Sequence, residues 1–183
     1  PPLVSSSAAS DVYKRQRLRE LLDESINSQE IFARVLIDKD SPYLKSVVLN
    51  KGTKDKVKIG MAVIDGAYLV GQIIEVNYTN SRALLLSDLN SKIPSVLAPN
   101  DVQTVVSGTG KNFGIIEHTQ YVSKKEINEK ERVVYTSGLG GLFKPGIPIG
   151  KMNISSNGIV NFFSDFTQLS YVKIVSYKSG GEE

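Results

Sequence analysis

Residues 136–150 read Thr136-Ser137-Gly138-Leu139-Gly140-Gly141-Leu142-Phe143-Lys144-Pro145-Gly146-Ile147-Pro148-Ile149-Gly150. Five glycines and two prolines in fifteen residues forbid a helix and force tight turns. Leu139, Leu142, Phe143, Ile147 and Ile149 make the same stretch apolar, unlike an ordinary solvated connection. No nucleophile, base or metal ligand in it makes an active site. The pattern is that of a loop holding a fixed shape between strands, which leans toward a structural or docking role.

Outward from this loop, everything after Ile31 is built of short β-branched runs between turn residues, with no helical period. The runs predict strands at 31–38, 45–50, 61–65, 68–76, 82–86, 92–97, 101–107, 113–117, 132–136, 148–154, 158–163 and 171–177. The last alternates: Val172, Ile174 and Ser176 share one face, and Tyr171, Lys173, Val175 and Tyr177 the other. Asn50-Lys51-Gly52, Asp65-Gly66, Asn80-Ser81, Asp88-Leu89-Asn90-Ser91, Pro99-Asn100-Asp101 and Ser155-Ser156-Asn157-Gly158 supply turn chemistry. Gly71, inside the apolar run Leu69-Val70-Gly71-Gln72-Ile73-Ile74, marks a bulge or barrel corner, and Gly60 before Met61 and Gly150 after Ile149 are read the same way. Many short strands predict an all-β fold whose closure removes edges. Twelve of them divide into two six-stranded β-barrels, 31–98 and 99–177, with insertion of one barrel within the other left open.

The ends read differently. Residues 1–16 do not join smoothly to the chain from Arg17 onward; they resemble a translated sequencing-adaptor fragment and are set apart from the fold. Residues 17–30 favour a helix in which Leu18 and Leu21 or Leu22 take a 3–4 spacing. It is either the end of a coiled coil, with these leucines as a self-association seam, or a short amphipathic cap. Residues 178–183 form a Ser/Gly/Glu tail expected to be disordered.

Composition is that of a globular chain, 40% hydrophobic and 22% charged over 183 residues. The longest aliphatic run, Ala83-Leu84-Leu85-Leu86, falls far short of the roughly 20 apolar residues that span a bilayer. A net charge of +3 is too slight to argue for nucleic acid. Cysteine is absent, which excludes disulfides and thiolate metal sites.

Catalytic and cofactor motifs fail one after another. His118 is the single histidine, so a Ser-His-Asp hydrolase would need it as base. Ser137 lacks the glycine two residues earlier that a nucleophile elbow requires. Ser107-Gly108-Thr109-Gly110-Lys111-Asn112 imitates a phosphate loop, but Val105 and Asn112 stand where glycine and Ser/Thr are needed. Gly138 to Phe143 breaks the dinucleotide pattern at Phe143. Asp88 and Asn90 have calcium-loop spacing, but Pro99 replaces the closing glutamate. Lys51, Lys54, Lys56 and Lys58 read as a solvated hairpin, with too few aromatics for base stacking. The expectation is no catalytic residue, no cofactor and no metal. A double-barrel serine-protease-like hydrolase and a nucleic-acid-binding barrel are the competing readings.

Several runs taken together resemble the rod shape-determining MreC family. They are Ala33-Arg34-Val35-Leu36, Ser41-Pro42-Tyr43-Leu44 through Gly52, Gly60-Met61-Ala62-Val63, Leu69 to Ile73, Thr79 to Asp88, Asn90-Ser91-Lys92-Ile93-Pro94, and the loop Thr136 to Gly146. They occur in order from about Arg17 to Tyr177. Lys56 departs from the family pattern where a glycine is common, and Ser95 where a valine is. The resemblance implies an N-terminal membrane anchor missing from this chain, a dimerising coiled coil, and two barrels in a chymotrypsin-like arrangement without a triad. It implies a place on the periplasmic face of the bacterial inner membrane. It also implies a non-catalytic scaffold linking MreB, through MreD, to a class-B penicillin-binding transpeptidase and RodA. Leu139, Leu142 and Phe143 are the candidate partner contacts; for Leu142 and Phe143 the competing reading is that they plug a barrel end.

Overall fold

The computed structural model describes residues 29–40, 45–99, 101–117, 131–153 and 158–177. The expected helix at 17–30 with Leu18, Leu21 and Leu22 lies outside them but for its last two residues, and Glu30 already belongs to a strand. His118, the adaptor-like segment and the 178–183 tail also lie outside the described residues.

Twelve strands occupy the described chain. They are β1 (Glu30–Asp40), β2 (Lys45–Leu49), β3 (Ala62–Asp65), β4 (Tyr68–Val76), β5 (Ser81–Leu85), β6 (Lys92–Leu97), β7 (Val102–Gly108), β8 (Phe113–Glu117), β9 (Glu131–Thr136), β10 (Pro148–Asn153), β11 (Ile159–Phe162) and β12 (Tyr171–Val175). All pair antiparallel and close into two six-stranded barrels, in the orders β1-β12-β3-β4-β5-β2 and β10-β11-β8-β7-β6-β9. Each predicted strand lies within about two residues of an observed one.

The expected division at 98/99 is corrected by this topology. β6 opens the second barrel, and β12 returns to the first, between β1 and β3. Pro99 therefore lies in a connection inside the second barrel. The physical reason is closure: Ile174 aligns with Ile31 on one side and Val63 on the other, and all three are buried. Without β12 that apolar seam would open to water. The second barrel is thus inserted into the first, and the chain crosses between them at 86–91 and again at 163–170.

Both crossings are tied down. Asp88 is buried; its Oδ2 accepts from Lys45 N–H at 2.6 Å, and its Oδ1 accepts from Asn90 N–H at 2.7 Å. The calcium-like spacing is therefore a turn that anchors the first crossing to β2. On the return, Ser164 Oγ donates to Leu69 O, and Phe166 packs edge-on to Phe162 at 5.5 Å. Asp165 accepts from the Thr167 hydroxyl and backbone N–H, and those bonds hold its carboxyl below the usual carboxylate range. β10 packs against β4, with Ile149 and Val70 both fully buried, so the two barrels share one connected apolar core.

Gly71 explains why β4 tolerates its neighbours. It sits opposite Val63 and Leu85, beside a register shift at Val63/Ile64. A β-carbon there would lie 1.9 Å from Leu84 O. The expected bulge is present, and the close approach of two strands is what the glycine permits.

Candidate docking surface

Residues 137–147 connect β9 to β10. Thr136, fully buried at the end of β9, pins both sides of this loop. Its hydroxyl donates to Lys144 O at 2.5 Å and accepts from Ile147 N–H at 2.9 Å. Its backbone N–H donates to Ile147 O, and its carbonyl accepts from Gly146 N–H. Ser137 N–H donates to Pro94 O, which ties the loop to β6. Gly138 and Gly140 take φ of 74° and 78°, a left-handed backbone that glycine enters without steric cost. The tip is a short 3₁₀ turn, Leu139–Gly141. Ser137 Oγ accepts from Leu139 N–H, so the tempting nucleophile is part of the turn.

Removing the Thr136 hydroxyl tests how far this pin holds the loop. Thr136→Val leaves the buried Ile147 N–H without its side-chain acceptor and is expected to cost about 1–3 kcal/mol. Chemical denaturation reads it directly; an unchanged midpoint would show that the loop holds its shape without the hydroxyl.

The loop sorts its apolar residues. Phe143 is 1% exposed and belongs to the core, so as a surface anchor it is corrected: it plugs the fold, because an aromatic ring left outside would forfeit its burial. Leu139 and Leu142 remain on the surface, 56% and 46% exposed. Leu142 borders an open groove of about 550 Å³ shared with Gln29, Lys58, Ile59 and Tyr177 of the first barrel. The structure thus brings the loop against the end of the first barrel where the chain enters and leaves, which spacing along the sequence did not reveal.

A second exposed apolar group was missed. Phe32 and Tyr171 are each 67% exposed and Leu36 is 52% exposed, on the outer faces of β1 and β12. Arg34 stands directly opposite Tyr171, and Lys173 Nζ lies 5.6 Å from the Phe32 ring centroid while pairing with Glu30 at 3.2 Å. The signal was legible: the β1 alternation that places Ile31 and Ala33 inward puts large apolar residues outward.

The motif look-alikes resolve into ordinary structure. Residues 107–112 end β7 and turn into β8, with Thr109 Oγ1 donating to Phe113 O. The lysine segment is not a hairpin but a 3₁₀ turn at Thr53–Asp55, closed by a Lys51–Asp55 ion pair of 3.1 Å. Among the described residues no group of three or more His, Cys, Asp or Glu side chains could hold a metal ion.

A scan against family descriptions matches residues 35–176 to the barrel core of the rod shape-determining protein MreC. The chain belongs to the MreC family. The cell shape-determining protein MreC of Haemophilus influenzae is 36% identical over 158 residues, covering 82% of this chain and 43% of that protein. The chain therefore spans under half the length of that MreC relative. Among solved structures, MreC of Listeria monocytogenes superimposes with a TM-score of 0.75 at 21% identity, covering 97% of this chain and 93% of that one. The major periplasmic domain from the cell shape-determining filament MreC gives 0.70 at 18% identity, covering 82% and 99%. A complex between penicillin-binding protein PBP2 and MreC from Helicobacter pylori gives 0.55 at 13% identity, covering 84% and 90%. At those identities the MreC structures carry the fold alone.

Proposed function

We propose that this chain is the barrel portion of a non-catalytic scaffold for bacterial cell elongation, acting in the periplasm at the inner membrane. It docks on a class-B penicillin-binding transpeptidase and favours that enzyme's active conformation. Such activation requires tighter binding to one of the enzyme's two states. RodA, MreD and, indirectly, MreB complete the assembly, and an upstream anchor and coiled coil supply membrane attachment and self-association. The barrels pack in a chymotrypsin-like manner and no triad operates in them.

One observation carries the reading: Leu139 and Leu142 stay exposed on a loop fixed at both ends by Thr136. Apolar side chains on a preorganised loop lose little entropy on docking and make good anchors. The Helicobacter pylori complex shows that a member of the family assembles with a penicillin-binding protein.

Binding of the transpeptidase ectodomain to Leu139→Ser/Leu142→Ser, followed by calorimetry, tests this. The double variant is expected to bind about 10–100-fold more weakly while keeping its thermal midpoint, as truncation of a two-residue anchor predicts. Undiminished affinity would remove the loop from the interface. Loss of affinity in Phe32→Ser/Tyr171→Ser instead would move the interface to the outer face of β1 and β12.

A further inference from the structure

The end of the first barrel where the chain enters and leaves carries a cluster of lysines, of which Lys56 and Lys58, with Ile59, also line the groove that Leu142 borders. Gln29 and Ser176 exchange hydrogen bonds there, with 28 residues before Gln29 and six after Tyr177. The 51–59 segment and the 77–80 turn form the rest of this end. Thr53 N–H donates to Asn77 O and Lys54 N–H to Tyr78 O, while Val57 is buried beneath.

Three described carboxylates of this end are engaged. Asp55 pairs with Lys51, Glu30 with Lys173 and Glu75 with Arg82. Lys54, Lys56 and Lys58 are exposed, and among the described residues none of them forms an ion pair. Ile59 and Tyr78 flank them at 69% and 72% exposure. Lys56 adopts φ 67°, ψ 23° at the end of the 3₁₀ turn, a left-handed conformation that favours glycine. A lysine held against that preference, in the middle of a cationic cluster, points to a use for its charge.

We propose that this end of the first barrel rests on an anionic lipid surface, with the three lysines among the headgroup phosphates and Ile59 and Tyr78 at the acyl boundary. The chemistry selects lipid over a folded or stacked polyanion. All three cations of the cluster are lysines, point charges suited to a fluid headgroup layer, whereas fixed phosphates are gripped bidentately by arginine. Ile59 offers no π-face to a base but does favour an apolar boundary, and tyrosine is at home at that depth. The loop is fixed by its hydrogen bonds to 77–78, so the lysines are presented together.

The test is flotation of the full chain with phosphatidylcholine vesicles, with and without phosphatidylglycerol. The chain is expected to bind the anionic vesicles only, and to release them as salt rises. Lys54→Gln/Lys56→Gln/Lys58→Gln should weaken binding on the order of a hundredfold, about fivefold for each lysine. Lys56→Gly separates charge from fold: its thermal midpoint should equal or exceed that of the parent while vesicle affinity falls about fivefold. Ile59→Ser should weaken vesicle binding without changing retention on an oligonucleotide. Undiminished binding by the triple variant would overturn the proposal. So would failure to bind anionic vesicles at low salt, or tighter binding to an oligonucleotide or an acidic peptide than to the vesicles.

Discussion

Phe143→Ala is expected to destabilise the fold by about 3–5 kcal/mol, the usual result of emptying a fully buried aromatic site. Phe143 is 1% exposed, within the same apolar cluster as Ile147 and Ile149, at the root of the loop that presents Leu142. For a chain of this size the loss lowers the thermal midpoint by roughly 10 °C. The variant also distinguishes a plug from an anchor. Well below its midpoint, the folded Phe143→Ala protein should bind the transpeptidase with only modestly reduced affinity, whereas Leu139→Ser/Leu142→Ser should lose binding at unchanged stability. An unaltered midpoint together with abolished binding would mean that the ring leaves the core to reach a partner.

The second large effect belongs to Gly71. Alanine here places its methyl carbon 1.9 Å from Leu84 O, and the obstacle is backbone, which no rotamer change relieves. β4 must move away from β5, breaking the pairing of Gly71 with Leu85 and disturbing the side of the barrel that meets β10. Overpacking against a main chain costs at least about 3 kcal/mol, and the first barrel is expected to lose cooperative unfolding. Gly66→Ala is the control: nothing lies within 4 Å of its β-carbon, and only its φ of 59° opposes the substitution. That strain is worth about 1–2 kcal/mol. Equal thermal midpoints for Gly71→Ala and the parent would show that β4 and β5 do not approach so closely.

The Phe143 and Gly71 cases show what a linear reading can reach. The glycine interrupting Leu69 to Ile74 was recognisable as a bulge, because an interior glycine weakens a strand unless something crowds it. Which backbone crowds it was not, since Leu84 belongs to the next strand and its approach depends on barrel curvature. In the 136–150 loop, glycines and prolines announced fixed turns. The assignment of Phe143 inward and Leu142 outward followed from the hydrogen bonds of Thr136 to Lys144 and Ile147. The outer face bearing Phe32 and Tyr171 was written in the alternation and went unread, because apolar residues at strand positions are read as core by default.

The sequence by itself determined the strands, their turns, the all-β class and the family, because side-chain alternation and turn chemistry act between residues close along the chain. Only the tertiary structure decided that β12 seals the first barrel, that β6 opens the second, and that Lys56 is held left-handed beside two other exposed lysines. Those outcomes depend on closing hydrogen-bonded rings between residues as far apart as Ile31 and Ile174. Ring closure is a global condition, met by whichever strand buries the remaining apolar seam, and no local pattern encodes it.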